Sequence, residues 1–354
     1  MRFRASRHPT RHDAADARLA LLAGAALVLG AAALHVRRQT RRAEHEHPPR
    51  GRFVHVHGTA LHYTEHGAAD APPLVILHGS GSMAEEIERS GLVERAAASY
   101  RVIVFDRIGH GHSDRLHGSA LTPTRQADLV LAALRRLEID NPIVLGHSWG
   151  ALVAMALGLN HPHAVRALVL LSGYWFPTPR ADVAWMSGPA IPLLGALMRH
   201  TLAPLAARLA WPRAIKRAFA PTRVPASFSE GYPVWLSLRP SQLHAMAGEA
   251  ALMIPAVLRL AAHYGELRVP VVIGAGANDR KFSTRWHSLR LHKAIAGSVL
   301  HIVDGAGHML HHDAPELVLG FVDEAAQMAD TSRTLSSPAR ASRRADGPVI
   351  QGAH

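Results

Sequence analysis

The chain has 354 residues, 48% apolar and 19% charged, which suits one large or two medium domains with a real core and excludes bulk disorder. It has no cysteine, which removes disulfide scaffolds, Cys-based zinc sites, iron–sulfur clusters and a Cys nucleophile together. The formal net charge of +12 lies in the flanks, with eleven Arg against four acids in residues 1–52 and four Arg against one acid in 331–354, so the body lacks the basic stripe of a nucleic-acid domain.

Residues 1–18 form a basic segment. Residues 19–36 carry no Asp, Glu, Lys or Arg, and eighteen residues at about 1.5 Å each reach about 27 Å, enough to span a thin bilayer. They are expected to be a transmembrane anchor of a single-pass membrane protein, the membrane being taken as a bacterial inner one. Two other readings stay open. A cleaved signal peptide over residues 1–33 fits the basic start and Ala31-Ala32-Ala33, and a buried soluble helix also fits an apolar run. Arg residues flank the segment almost equally, so the positive-inside rule assigns no orientation. Residues 37–52 read as a polar linker.

From Phe53 the texture changes. Residues 53–57 and 60–64 alternate about His57-Gly58 and predict a hairpin. Continuous apolar runs follow at 73–77, 102–105, 143–145, 167–171, 269–273 and 299–303, as in strands buried on both faces of a parallel sheet. Helical patterns at 124–138, 149–160, 283–295 and 314–328 lie between them. The alternation predicts an α/β, mostly parallel, doubly wound sheet. No strand run occurs between Gly173 and Leu267. Residues 174–266 therefore predict an inserted helical cap or lid, which splits the core into 53–173 and 267–330. The tail 331–354 lacks periodicity and reads as disordered.

Gly146-His147-Ser148-Trp149-Gly150 stands directly after one strand run and directly before a helical pattern. This is Gly-x-Ser-x-Gly in strand–turn–helix context. To lift its hydroxyl off the sheet, Ser148 needs a strained conformation in a very tight turn. That turn leaves no room for side chains at 146 and 150.

On this motif the chain resembles the α/β-hydrolase superfamily, in its cap-bearing, esterase- and lipase-like branch of Ser hydrolases, over residues 53–328. Further motifs stand in the family's order. Leu77-His78-Gly79-Ser80-Gly81 looks like its oxyanion loop. Phe105-Asp106-Arg107-Ile108-Gly109-His110-Gly111-His112-Ser113 is similar to its Asp-Arg-x-Gly-x-Gly-x-Ser loop. Gly276-Ala277-Asn278-Asp279-Arg280 and Gly305-Ala306-Gly307-His308 stand where the family keeps its acid and its base. The resemblance implies the α/β-hydrolase fold and a triad in the order Ser148, Asp279, His308.

The roles follow from chemistry as well. A Ser hydroxyl is a poor nucleophile until a base takes its proton. His308 lies in a Gly-flanked turn just past a strand, while His78, His110, His112 and His147 near the same edge read as loop packing. Asp279 is expected to orient His308. Asp304 is a rival that reads as ending its strand, and Asp313 reads as a helix N-cap. The backbone N–H groups of Trp149 and of Ser80, after Gly79, are the expected oxyanion donors. Asp106 and Arg107 read as structural. No cofactor is expected. No metal is expected either, because His45-Glu46-His47 lies in the linker and the histidines at 308, 311 and 312 have no carboxylate placed beside them.

The resulting expectation is a membrane-associated serine hydrolase acting on a carboxylic ester, apolar or lipid-like because the insertion is rich in Trp, Tyr, Phe and Leu. The alternatives are thioester, amide or carbon–carbon hydrolysis, acyl transfer, or a non-catalytic ligand-binding role. The carbon–carbon hydrolases follow His-Gly-Ser-Gly with Pro-Gly, where this chain has Ser82-Met83. A dehalogenase or epoxide hydrolase would want Asp at 148. The expected partners are a small-molecule ester and the membrane, with no nucleic acid and no assigned oligomeric state.

Overall fold

The computed structural model describes residues 11–115 and 121–336. Eight strands form one sheet: β1 Arg52–Val56, β2 Thr59–His66, β3 Pro73–Leu77, β4 Arg101–Phe105, β5 Ile143–His147, β6 Ala167–Leu171, β7 Val271–Gly276 and β8 Val299–Val303. Their spatial order is β1-β2-β4-β3-β5-β6-β7-β8. β1 and β2 pair antiparallel, β2 pairs antiparallel with β4, and every later pair is parallel. The β1–β2 hairpin closes on His57 and Gly58, both at positive φ, which matches the right-handed twist of the strands.

The central strands bury both faces. Val75 and Leu77 join one apolar cluster with helices Pro123–Arg136 and Trp149–Asn160. Leu74 and Ile76 join a second cluster with helix Pro315–Ser336. Continuous apolar runs were the right signature for this, because alternate residues serve opposite faces. Parallel pairing puts the carboxyl ends of β3, β5, β6, β7 and β8 along one edge, so the loops following these strands meet there.

Between β6 and β7 the chain forms helices Ala181–Met186, Leu194–His200, Leu202–Phe219, Ala226–Ser229, Val234–Ser237 and Pro240–Ala261. Phe219, Phe228, Tyr232 and Leu236 cluster with Met83 and Met309 of the core loops and with Ala43 of the N-terminal helix. Trp211, Tyr232, Phe228 and Phe219 contact one another in sequence, so these aromatics fill the interior of the inserted segment. Tyr174, Trp175 and Phe176 instead join the main core cluster.

Three boundaries differ from the sequence reading. The N-terminal helix runs unbroken over Arg11–Glu46, through residues 37–46 that read as linker. Ala, Arg, Gln and Glu are strong helix formers, and Arg42 pairs with Glu46 at 2.8 Å one turn on. Ala43 packs under the cap and Glu44 meets Arg239, so this stretch is a helix face with a partner. The C-terminal helix extends to Ser336, past the expected end of the core. The rest of the expected tail, and residues 1–10 of the basic segment, lie outside the described residues. Helix Ser288–Ala294 is shorter than the pattern at 283–295.

Candidate active site

Ser148 joins β5 to helix Trp149–Asn160 at φ 54°, ψ −114°, a region side-chain-bearing residues rarely enter. A Cβ at Gly146 would stand 2.6 Å from the Ala151 Cα, and one at Gly150 would run into the Leu77 carbonyl. The steric need for both glycines, read from the motif, has these causes.

Asp279 follows β7 and His308 follows β8. His308 Nδ1 lies 2.8 Å from Asp279 Oδ2, and its Nε2 lies 3.2 Å from Ser148 Oγ. With the carboxylate ionised, Nδ1–H donates to it and the Nε2 lone pair faces the hydroxyl. Asp279 Oδ1 also accepts the amides of Lys281 and Phe282 at 2.7 and 3.0 Å. Burial alone would raise the Asp279 carboxyl, but His308 and these amides outweigh it and hold it below its ordinary value. Burial lowers the His308 imidazole below 6.5; Asp279 opposes the shift and Lys281 adds to it. At neutral pH the arrangement is a neutral base beside an ionised carboxylate. Ser148 and His308 are only 3% and 1% exposed, so the site is closed.

The rival acids fall elsewhere. Asp304 is exposed. Asp313 is not an N-cap, since the next helix starts at Pro315, after Ala314. It accepts the Gly307 amide at 2.8 Å and the Thr222 hydroxyl at 2.7 Å, which braces the His308 loop against the inserted segment.

The loop after β3 reaches the elbow at Gly79, where a Cβ would stand 3.2 Å from Ser148 Cβ. Its conformation is held from behind. Arg107 Nε donates to the His78 carbonyl at 2.7 Å and Nη2 to the Gly79 carbonyl at 3.1 Å. His78 Nδ1–H donates to the Gly79 carbonyl at 2.8 Å, and His78 Nε2 accepts the Arg107 amide at 2.9 Å. Burial, with Arg107 and His110 alongside, drives the His78 pKa down to about 3, so the ring is neutral as this network requires. A trans peptide points its carbonyl and N–H in opposite directions, so Arg107 and His78 together turn the Ser80 N–H away from themselves.

The Asp-Arg pair is structural but not mutual. Asp106 accepts the Ala84 amide at 2.7 Å, the His112 amide at 2.9 Å and His62 Nδ1 at 2.7 Å. Arg107 pairs with Glu249 of helix Pro240–Ala261. Gln126 and the Ser80 side chain also bond Glu249. Burial would raise this carboxyl, but Arg107 and His110 outweigh it and bring it down to about 2.

Sequence reasoning missed Glu249 and Glu86. Glu249 is the only acid in a 22-residue apolar helix, and a lone acid in mid-helix in such a stretch is the signal that could have found it. Glu86 Oε1 lies 2.6 Å from His311 Nε2 and 2.7 Å from His312 Nε2. The expectation that no carboxylate stands beside these histidines is therefore corrected. Ser82 donates to the other oxygen at 2.7 Å. A ligating His311 would need an acceptor for its Nδ1–H, and that atom is buried without a partner, so the donor set fits hydrogen bonding better than a metal. His147 Nε2–H donates to the His308 carbonyl at 3.0 Å, tying the elbow to the loop that carries His308.

The model of the alpha/beta hydrolase fold family matches residues 72–315. A haloalkane dehalogenase of Mycobacterium marinum is 32% identical over 34% of this chain and 40% of its own length. A 2-hydroxymuconate semialdehyde hydrolase of a Pseudomonas species is 33% identical over 40% of this chain and 51% of its own length. These matches span about half of those relatives or less. A 2-hydroxy-6-oxo-2,4-heptadienoate hydrolase of Pseudomonas putida is 26% identical over 73% of this chain and 89% of its own length. Among solved structures, a hydrolase of Pseudomonas aeruginosa superposes with a TM-score of 0.61 at 24% identity, covering 79% of this chain and 99% of that one. A bacterial membrane phospholipase A superposes at 0.60 with 20% identity, covering 89% and 97%. Likeness at that identity concerns the fold alone. With the family model spanning well over half the sequence, the chain belongs to the α/β-hydrolase fold family.

Proposed function

We propose that this chain is a membrane-associated serine hydrolase acting on a carboxylic ester. The observation that carries the reading is the relay Asp279–His308–Ser148 at 2.8 and 3.2 Å around a neutral imidazole. His308 takes the Ser148 proton as Oγ attacks the ester carbon. The amides of Trp149 and Ser80 hold the oxyanion, and the imidazolium, steadied by Asp279, protonates the departing alkoxide. Water then attacks the acyl-enzyme with His308 again as base, which releases the acid and regenerates Ser148. An apolar or lipid-like acyl group is favoured by the apolar inserted segment over the site and by the apolar helix over Ala15–Glu46, long enough to span a bilayer. Ala32, inside the small-residue stretch a signal peptidase would cut, is buried against the rest of the protein, which favours a retained anchor.

A second reading, a carboxylate-bearing small substrate, is favoured by Arg180 and Lys281, which lie 5.1 and 5.5 Å from the ring of Phe282, itself 5.2 Å from His308. The P. putida relative, named for a heptadienoate, points the same way.

The test is fluorophosphonate labelling of the full chain in detergent. Wild type is expected to label, and Ser148→Ala and His308→Ala to lose labelling. A folded wild type that does not label would overturn the hydrolase reading. Neutral esters graded by acyl length, set against carboxylated ones, then separate the two substrate readings.

A further inference from the structure

The N-terminal helix is bare over residues 15–28 and partnered further on. Ala32, Val36 and Ala43 are buried, and His35 meets the Trp235 ring edge-on at 5.9 Å. The partners are helices Leu194–His200, Leu202–Phe219 and Val234–Ser237 of the inserted segment. The apolar run of this helix continues to Val36, immediately before Arg37-Arg38. Ala32 and Val36 therefore lie inside the apolar stretch. Whatever covers them reaches about 6 Å past its charged end, at the rise of an α-helix.

The covering segment carries an apolar surface of its own. Ile191, Leu193, Leu194, Leu197, Leu202 and Leu209 are all exposed, Leu193 at 89% and Leu209 at 77%. Leu193 stands where the pieces Ala181–Ala190 and Leu194–His200 meet at 90°, and its backbone is at φ 61°, strained for a leucine. A strained, water-exposed leucine at the tip of a bend is doubly unfavourable in water and suits a hydrocarbon environment. Past Leu209 the exposed residues of Leu202–Phe219 turn basic, with Arg213, Lys216 and Arg217. Leu209 and Arg213 are about 6 Å apart along that axis. This grading from apolar to cationic matches the step from acyl chains to anionic headgroups.

We infer that this face of the inserted segment dips into the same bilayer leaflet as the N-terminal helix, so that the lid over Ser148 is itself held in lipid. The inference rests on the membrane-anchor part of the proposed function and adds a second, separate membrane contact. Its occupant is a bilayer containing anionic lipid.

The absence of cysteine makes the test direct. The full chain carrying Leu27→Cys, Leu193→Cys, Leu197→Cys or Asp140→Cys is labelled with an environment-sensitive fluorophore and reconstituted into phosphatidylcholine–phosphatidylglycerol vesicles with spin-labelled acyl chains. Leu193→Cys and Leu197→Cys are expected to be quenched about two-fold or more, as is Leu27→Cys in the apolar helix, while exposed Asp140→Cys is not. Quenching at 27 with none at 193 and 197 would overturn the inference and leave the anchor standing, whether water or a second copy covers the face. No quenching at 27 would remove the bilayer from both and overturn them together. Fluorophosphonate labelling of the same samples reports separately on the hydrolase reading.

Discussion

His308 carries the pH dependence of the proposed reaction. Burial sets its pKa below 6.5 despite the Asp279 carboxylate, and only the neutral ring accepts the Ser148 proton. Activity is therefore expected at full height at pH 7 and lost as pH falls through an apparent pKa below 6.5 that belongs to the His308–Asp279 pair. Asp279→Asn would remove the carboxylate that fixes the Nδ1–H tautomer, and kcat is expected to fall by about 10³–10⁴-fold with KM little changed. Steady-state kinetics of both proteins from pH 4.5 to 8 check this. An acid limb centred above 6.5, or an Asp279→Asn variant of near-normal kcat, would contradict these assignments. At this scale the sequence was most legible where steric demand selects one residue type. Gly146, Ser148 and Gly150 announce themselves because nothing larger than hydrogen fits at the flanks. His308 does not, since twenty-six histidines share its chemistry and only its position after β8 marks it.

Helix Pro240–Ala261 shows what an element contributes beyond its periodicity. It brings Glu249 to Arg107, and Arg107 holds the carbonyls of His78 and Gly79 beside Ser148. Position of the inserted segment and shape of the proposed oxyanion loop are thus linked through one buried ion pair. Glu249→Gln would leave the Arg107 guanidinium buried without its counter-charge, a loss expected to destabilise the fold by about 3–5 kcal/mol. Because Ser80 also bonds Glu249, kcat is expected to fall more than stability alone explains. Urea unfolding alongside kcat at a concentration where the variant remains folded separates the two. A variant of unchanged kcat would detach the cap from the loop. Helix Arg11–Glu46 teaches the converse. Its last three turns read as linker because their residues are polar, yet Ala43 and Glu44 find partners in the cap that lie far away in sequence.

Over the whole molecule, buried neutral histidines couple stability to acid. Burial is the leading cause of the low values at His78, about 3, and at His110 and His287, about 4. Below 6.5 the unfolded chain takes up protons at these positions and the native state does not. Stability is therefore present above that pH and falls toward 4, each group contributing up to about 1.4 kcal/mol per pH unit. Glu249 acts in the same direction over a lower range, its contribution present above 4.5 and lost as pH falls toward 2. Urea midpoints measured at pH 7.5, 6 and 5 in detergent should decline monotonically, and a flat profile would contradict neutral burial of these rings.

By itself the sequence determined the hairpin, the strand-and-helix alternation, the elbow at Ser148 and the apolar N-terminal helix. Each rests on local rules: turn residues, periodicity, and steric demand within a few positions. The tertiary structure alone decided how closely the expected Asp279, His308 and Ser148 approach one another, that Asp313 braces a loop, and that Glu86 reaches His311 and His312. It likewise decided that Glu249 answers Arg107 and that the inserted segment packs onto the N-terminal helix. These contacts join residues up to 226 positions apart, and burial sets their energies. Neither distance nor burial is carried by spacing along the chain.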